Sequence, residues 1–120
     1  RPGGRAVNQD FFELILKDTV RQMESVLGRK AQEYASGFDR LQNFASATTL
    51  TNSNIAQACA GMMAKHTISV YEMVSTGESY PAEMWDEKIV DHLNYLVLLK
   101  ACLIEAGLYT IVSDKDKAPS

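Results

Sequence analysis

Residues 82–106 read AEMWDEKIVDHLNYLVLLKACLIEA, and this stretch decides the fold class. It follows Ser79-Tyr80-Pro81, a cap residue and a proline suited to a first helical turn, and it is closed by Gly107. Its apolar residues from Leu93 to Ile104 point in most directions around a helix. Such a helix must be buried on several sides, so we predict a long helix over residues 82–106 inside a bundle or a subunit interface.

Two further helices follow from caps and helical spacing. Asn8 precedes apolar residues that recur at positions 12, 16, 20, 23 and 27, which predicts a helix over residues 8–35. The capping residues 51–54 precede a second apolar stripe that runs from Ile55 to Met73, which predicts a helix over residues 53–75. The segment 38–50 lacks a clean period and is interpreted as a structured connector with a short helical turn. The predicted fold is therefore all-α: a bundle of three long helices plus one or two short ones, with the apolar stripes facing inward.

Composition limits the class of protein. A length of 120 residues with 46% hydrophobic residues predicts one domain, which we place at residues 8–113. Residues 1–7 lack an initiator Met and are interpreted as a cloning remnant, a cut end or a disordered start, and the charged tail 114–120 is predicted to be disordered. A net charge of -3 without a basic run argues against duplex nucleic acid, and the interrupted apolar stretches argue against a membrane span.

The third predicted helix carries the most informative polar pattern. Glu87, Asp91 and Asn94 fall on one stripe at spacings of four and three residues, with Tyr95 beside them. Mg²⁺ prefers oxygen ligands from one or two carboxylates and keeps waters and substrate phosphates as its other ligands. These side chains therefore either converge on such a ligand or form the solvated face of an amphipathic helix.

Candidates on the other helices each carry a structural alternative. Lys30 and Glu33 lie three residues apart and would otherwise be a surface ion pair, whereas Lys65 would meet a phosphate or neutralise Glu72. His66 lies on the apolar stripe and is interpreted as a core histidine with a satisfied hydrogen bond rather than a catalytic base. Neither histidine has partners at zinc-site spacing, and the two cysteines do not supply them. Those cysteines fall in apolar helical surroundings, which, without a secretory signal, predicts a cytoplasmic location.

Four segments taken in order resemble a known signature: KAQEYA at 30–35, RLQNF at 40–44, GMMAKH at 61–66 and WDEKIVDHLNY at 85–95. The combination resembles small phage and prophage proteins of the nucleotide-modification-associated type, which in turn resemble the MazG-like and dimeric dUTPase class of nucleotide pyrophosphohydrolases. In that class, acidic residues on neighbouring helices bind Mg²⁺, and water attacks a nucleotide phosphate. This chain has a single Glu33 where the class has Glu-x-x-Glu, and Glu87-x-x-x-Asp91 where the class has Glu-x-x-Asp.

The resemblance implies a MazG-like bundle in the cytoplasm of a bacterial host that handles nucleotides, with hydrolysis of a nucleoside triphosphate to the monophosphate as the expected reaction. It implies Glu33, Glu87 and Asp91 as Mg²⁺ ligands, with Glu33 and Asp91 as the catalytic residues. The implied substrate-binding residues are Lys30, Asn43, Lys65, Asn94 and Tyr95. The alternative is a non-enzymatic nucleotide-binding or protein-interaction module with an anti-defence, regulatory or assembly role.

The third helix also predicts self-association. It has more apolar circumference than two partner helices in a chain of this length can cover. We therefore expect a homodimer or a higher homo-oligomer.

Overall fold

The computed structural model describes residues 4–33 and 40–111, without the side chains of residues 30–33. Four helices follow one another: α1 (Gln9–Glu33), α2 (Gln42–Thr51), α3 (Ile55–Thr76) and α4 (Ala82–Glu105). The described ranges contain no strand, so the all-α prediction is confirmed. The three long helices begin and end within two residues of their predicted bounds, and the ten-residue helix α2 begins inside the predicted connector and ends one residue beyond it. The predicted tail lies outside the described residues.

Polar caps set the beginnings of two helices. The Asn8 carboxamide accepts a hydrogen bond from the Phe11 backbone N–H at 2.9 Å, as predicted for a cap of α1. Among the capping residues before α3, Asn54 caps the helix. Its Oδ1 accepts a hydrogen bond from the Gln57 N–H at 2.8 Å, and Gln57 Oε1 accepts one from the Asn54 N–H at 2.9 Å. This reciprocal pair satisfies two backbone donors at once.

The turn between α3 and α4 fixes an antiparallel hairpin. Gly77 ends α3 with a φ of 68°, a left-handed conformation that glycine adopts without steric cost. Pro81 itself stands at the cap position of α4 and supplies no side-chain hydrogen bond, so the prediction that a cap residue would precede a proline in the first turn is wrong. The ring of Tyr80 instead packs edge-on against Trp85, with centroids 5.5 Å apart, and fixes the entry of the chain into α4.

The helices pack around α3 and α4. Helix α3 lies along α4 in the most extensive interface, α2 packs against α3, and α1 packs against α4 in the smallest of the three interfaces. The core contains Phe44 from α2, Cys59 from α3 and Cys102 from α4, and both cysteines are fully buried. In the described part of the chain, no helix combines the length and the apolar character that a bilayer crossing requires.

One part of the predicted packing is wrong. The stripe of α3 faces inward as expected, because Cys59 and Met73 are buried and the residues between them on the stripe are half-buried. The first half of α1 differs, since its stripe residues Phe12 and Leu16 are 52% and 53% exposed. The reason is geometric: Gln22, Ser25 and Val26 in the second half of α1 line a space shared with α4, whereas the first half is mostly exposed and the described helices leave it uncovered.

Candidate functional site

All four helices contribute side chains to a cavity of about 240 Å³ beside the core. Its apolar wall is formed by side chains from α1, α3 and α4, namely Val26, Leu27, Met62 and Leu98. Its polar side brings together residues that lie far apart in the sequence. These are Arg40, Asn43, His66, Asp91, Asn94 and Tyr95.

Asn94 is the most unusual residue of this cavity. It is 5% exposed, and neither its Nδ2 nor its Oδ1 has a hydrogen-bond partner among the described residues. A buried amide without partners costs about 1–3 kcal/mol for each unsatisfied group, so native structures rarely retain one without a reason. Asn94 lines the cavity, but protein atoms cover both amide atoms, so a ligand reaches them when neighbouring side chains move.

Three aromatic rings line the same space. The His66 imidazole lies 4.7 Å from the Tyr95 ring centroid at an angle of 35°, and Phe44 meets Tyr95 edge-on at 6.2 Å. Burial lowers the pKa of His66, with Lys65 and Lys88 acting in the same direction and Asp91 opposing it. The imidazole is therefore neutral at pH 7 and has one donor and one acceptor nitrogen.

The hydroxyl of Tyr95 is a donor at neutral pH. Burial raises the pKa of Tyr95, and Cys59 and Asp91 act in the same direction. His66 makes this ring contact rather than the satisfied hydrogen bond that the sequence predicts for it, as far as the described residues show. The cavity thus combines flat apolar surfaces with hydrogen-bonding groups of both kinds.

Arg40 brings a positive charge to the cavity. Its Nη2 donates to the backbone carbonyl of Leu27 at 2.8 Å, which anchors the half-buried guanidinium against α1. Among the described residues the guanidinium has no other hydrogen-bond partner, so its remaining N–H groups can serve a carbonyl, carboxylate or phosphate.

A second cleft of about 510 Å³ lies between α1 and α4. It shares Val26 and Asp91 with the cavity, so the two spaces are adjacent. Three carboxylates and one guanidinium line it: Asp86, Glu87, Asp91 and Arg29. Across the residues whose side chains are described, no group of three or more His, Cys, Asp or Glu side chains is arranged to hold a metal ion.

The structure brings some of the predicted site residues together and separates others. Asn43, Asp91, Asn94 and Tyr95 line the cavity, and Glu87 lines the adjacent cleft with Asp91. Lys65 is exposed and lines neither space. The side chains of Lys30 and Glu33 lie outside the described residues.

Sequence reasoning did not assign a functional role to two polar residues of the cavity, Arg40 and His66. Arg40 belongs to the RLQNF segment, but its charge alone gives no indication that it turns inward. His66 was assigned to the core because it lies on the apolar stripe of α3, and the same position places it at the cavity. The available signal was an arginine in the RLQNF segment, beside an asparagine and an aromatic residue, and a histidine in the GMMAKH segment.

No protein-family model, curated protein or solved structure matches this chain.

Proposed function

We propose that this protein binds a nucleotide, with the base in the cavity and the phosphates at the adjacent cleft. The observation that carries the proposal is the buried, unpartnered carboxamide of Asn94. An asparagine amide pairs through its donor and acceptor with an adjacent acceptor and donor on the edge of a nucleobase, an arrangement worth about 1–3 kcal/mol.

The other walls of the cavity fit a flat heterocycle. Tyr95, His66 and Phe44 offer aromatic surfaces, and bases stack on such rings with about 1–3 kcal/mol per base. A volume of about 240 Å³ is below the range of about 300–1,000 Å³ that encloses a whole drug-sized ligand. The cavity therefore suits the base, and the sugar and phosphates extend beyond it.

The phosphates can bind at the α1–α4 cleft only when a cation is present there. Among the side chains that the structure describes, its three carboxylates outnumber its one guanidinium, so these groups alone would repel a polyphosphate. Glu87 and Asp91, with Glu33 from the end of α1, are the residues that would hold Mg²⁺, and one or two carboxylates are a usual protein contribution to such a site. Held by these residues, Mg²⁺ would supply charge neutralisation and water activation for hydrolysis of a nucleoside triphosphate to the monophosphate.

A thermal-shift and calorimetric screen tests this proposal. The chain is titrated with each common nucleoside triphosphate, with and without Mg²⁺, because a ligand of the folded state raises the melting temperature by mass action. We expect stabilisation by at least one nucleotide, and weaker binding when Mg²⁺ is withheld. Pyrophosphate release, measured on the same mixtures, separates hydrolysis from binding alone.

Variants assign the binding to the cavity. Asn94→Leu should weaken nucleotide binding by about tenfold to a hundredfold, since it removes both hydrogen bonds to the base. Asn52→Gly is the matched control, because it removes a carboxamide outside the cavity at a φ of 50°, where glycine is tolerated. The proposal fails if no nucleotide changes the melting temperature, or if Asn94→Leu binds as tightly as the wild type.

A further inference from the structure

The first half of α1 presents an apolar surface that no described part of the chain covers. Phe12, Ile15, Leu16 and Val20 are 41–53% exposed, and we call these four residues the α1 stripe. Their spacing of three and four residues places them on one face of the helix. A contiguous apolar face of large side chains on a water-facing helix is typical of an interaction surface.

The α1 stripe continues the face that α1 uses within the chain. The same helical face runs on through Met23 to Leu27, both half-buried, and Leu27 lines the cavity together with residues of α4. One face of a single straight helix therefore packs against α4 in its second half and is uncovered in its first half. A packing surface of this kind requires a partner of similar apolar character.

We propose that a second copy of this chain covers the α1 stripe, with the two α1 helices antiparallel about a two-fold axis near Ile15 and Leu16. In that arrangement Ile15 of each copy packs against Leu16 of the other, because their positions are symmetric about the axis. The proposal is independent of the nucleotide site. It also moves the expected dimer surface from α4, where α1 and α3 cover much of the apolar circumference, to α1.

Charge along the edge of the stripe favours the antiparallel arrangement. Glu13 and Lys17 lie four residues apart, on the same side of the α1 stripe. An axis near Ile15 places Glu13 of each copy beside Lys17 of the other, whereas a parallel arrangement puts this flank of the two copies on opposite sides of the interface and forms no such pair. The charge pattern on α1 of one copy is thus complementary to the same pattern on the other copy.

The polar face of the same helix disfavours a membrane surface as the occupant. Interfacial helices carry mainly Lys and Arg on that face, because the headgroups they meet are often anionic. From Asp10 to Glu24 this helix has four acidic residues, Asp10, Glu13, Asp18 and Glu24, against two basic ones, Lys17 and Arg21. In the dimer these charged residues lie off the α1 stripe and point away from the second copy, apart from Glu13 and Lys17 at its edge.

Light scattering of the intact chain after size-exclusion chromatography tests the proposal. The wild type should have twice the 13.3 kDa mass of one chain at micromolar concentration. Leu16→Glu should raise the dissociation constant of the dimer on the order of a hundredfold or more, since it buries an unpaired carboxylate in the interface. Leu14→Glu is the matched control: Leu14 is 64% exposed, lies on the opposite side of α1, and should leave the dimer intact.

A charge-reversal cycle tests the antiparallel arrangement without altering the apolar residues. Glu13→Lys and Lys17→Glu alone should each weaken the dimer by about two- to fivefold, and the double reversal should restore it. Circular dichroism of each variant should show unchanged helix content. A monomeric wild type overturns the proposal, as does a dimer that Leu16→Glu leaves intact. A third outcome also overturns it in favour of a membrane partner. In that outcome the wild type is a monomer in solution and binds vesicles of phosphatidylglycerol and phosphatidylcholine, and Leu16→Glu abolishes the binding.

Discussion

The His66 imidazole and the Tyr95 phenol ring lie face to face at a tilt inside the cavity, with centroids 4.7 Å apart and planes inclined by 35°. One ring comes from α3 and the other from α4, so this contact joins the two helices of the hairpin at the cavity. Burial opposes a positive charge on the imidazole and lowers the pKa of His66.

Acid should therefore destabilise the fold through His66. With the folded pKa below the unfolded value of about 6.5, the unfolded chain binds a proton first as the pH falls. The free energy of unfolding then decreases as the pH drops through about 6.5, and this contribution levels off below the folded pKa. Urea unfolding of the wild type and of His66→Phe between pH 8 and pH 5 measures it. The variant keeps the ring and should lose stability less steeply; parallel curves would contradict the prediction.

Replacing Asn94 by leucine should stabilise the protein while it removes the proposed base contact. The wild-type amide is buried without partners, so an apolar side chain of similar size should raise the free energy of unfolding by about 1–2 kcal/mol. Chemical denaturation at pH 7 gives this value. Asn94→Ala is the comparison, because it removes the same amide but leaves a hole and should gain less. A loss of stability in Asn94→Leu would show that the amide is already hydrogen-bonded in the folded protein.

The capping box of α3 should contribute measurably to stability. Asn54→Ala removes the acceptor for the Gln57 N–H and should lower the free energy of unfolding by about 1 kcal/mol. Asn54→Ser retains a cap oxygen and should recover most of that loss. Equal stability of the alanine and serine variants would mean that the carboxamide has no capping role in solution.

Cys59 and Cys102 should be inert in the native state. Burial, reinforced by the neighbouring Cys102 thiol, raises the pKa of Cys59 to about 12, and burial also raises the pKa of Cys102. Because the thiolate is the reactive form, iodoacetamide at pH 8 should modify neither thiol while the chain remains folded. Mass spectrometry should detect two adducts only after denaturant is added. Rapid modification of the native protein would show that the interface between α3 and α4 opens readily.

The long helices were predictable because their signals are local. Asn8, Gly77 and Gly107 act within one turn of the chain, and the stripe of α3 repeats at helical spacing. The choice of Asn54 among four neighbouring capping residues was also available in the sequence, because only Asn54 is followed three residues later by a glutamine, Gln57. The uncovered first half of α1 was not predictable, because periodicity identifies a face without identifying the helix that packs on it.

Some features of the candidate site could likewise be predicted from the sequence, and others could not. Helical spacing alone placed Asp91 and Asn94 on one stripe of α4, and both line the cavity. Lys65 was predicted to bind substrate, but it is exposed and lines neither space, and only tertiary structure decides which polar residues of α3 reach the cavity. The unpartnered state of Asn94 depends on what surrounds it from three other helices.

The small interface between α1 and α4 has a consequence for how a ligand enters and leaves. Val26 and Leu27 give α1 one wall of the cavity, while the other walls belong to α2, α3, α4 and Arg40. Because α1 is held to the described helices by the smallest interface, it can separate from α4 without disrupting the α3–α4 hairpin. Hinged opening of this helix would expose the cavity directly, so the exchange rate of a ligand would follow the undocking rate of α1. The amide hydrogens of α1 would also exchange faster than those of α3 and α4, until a bound ligand slows their exchange.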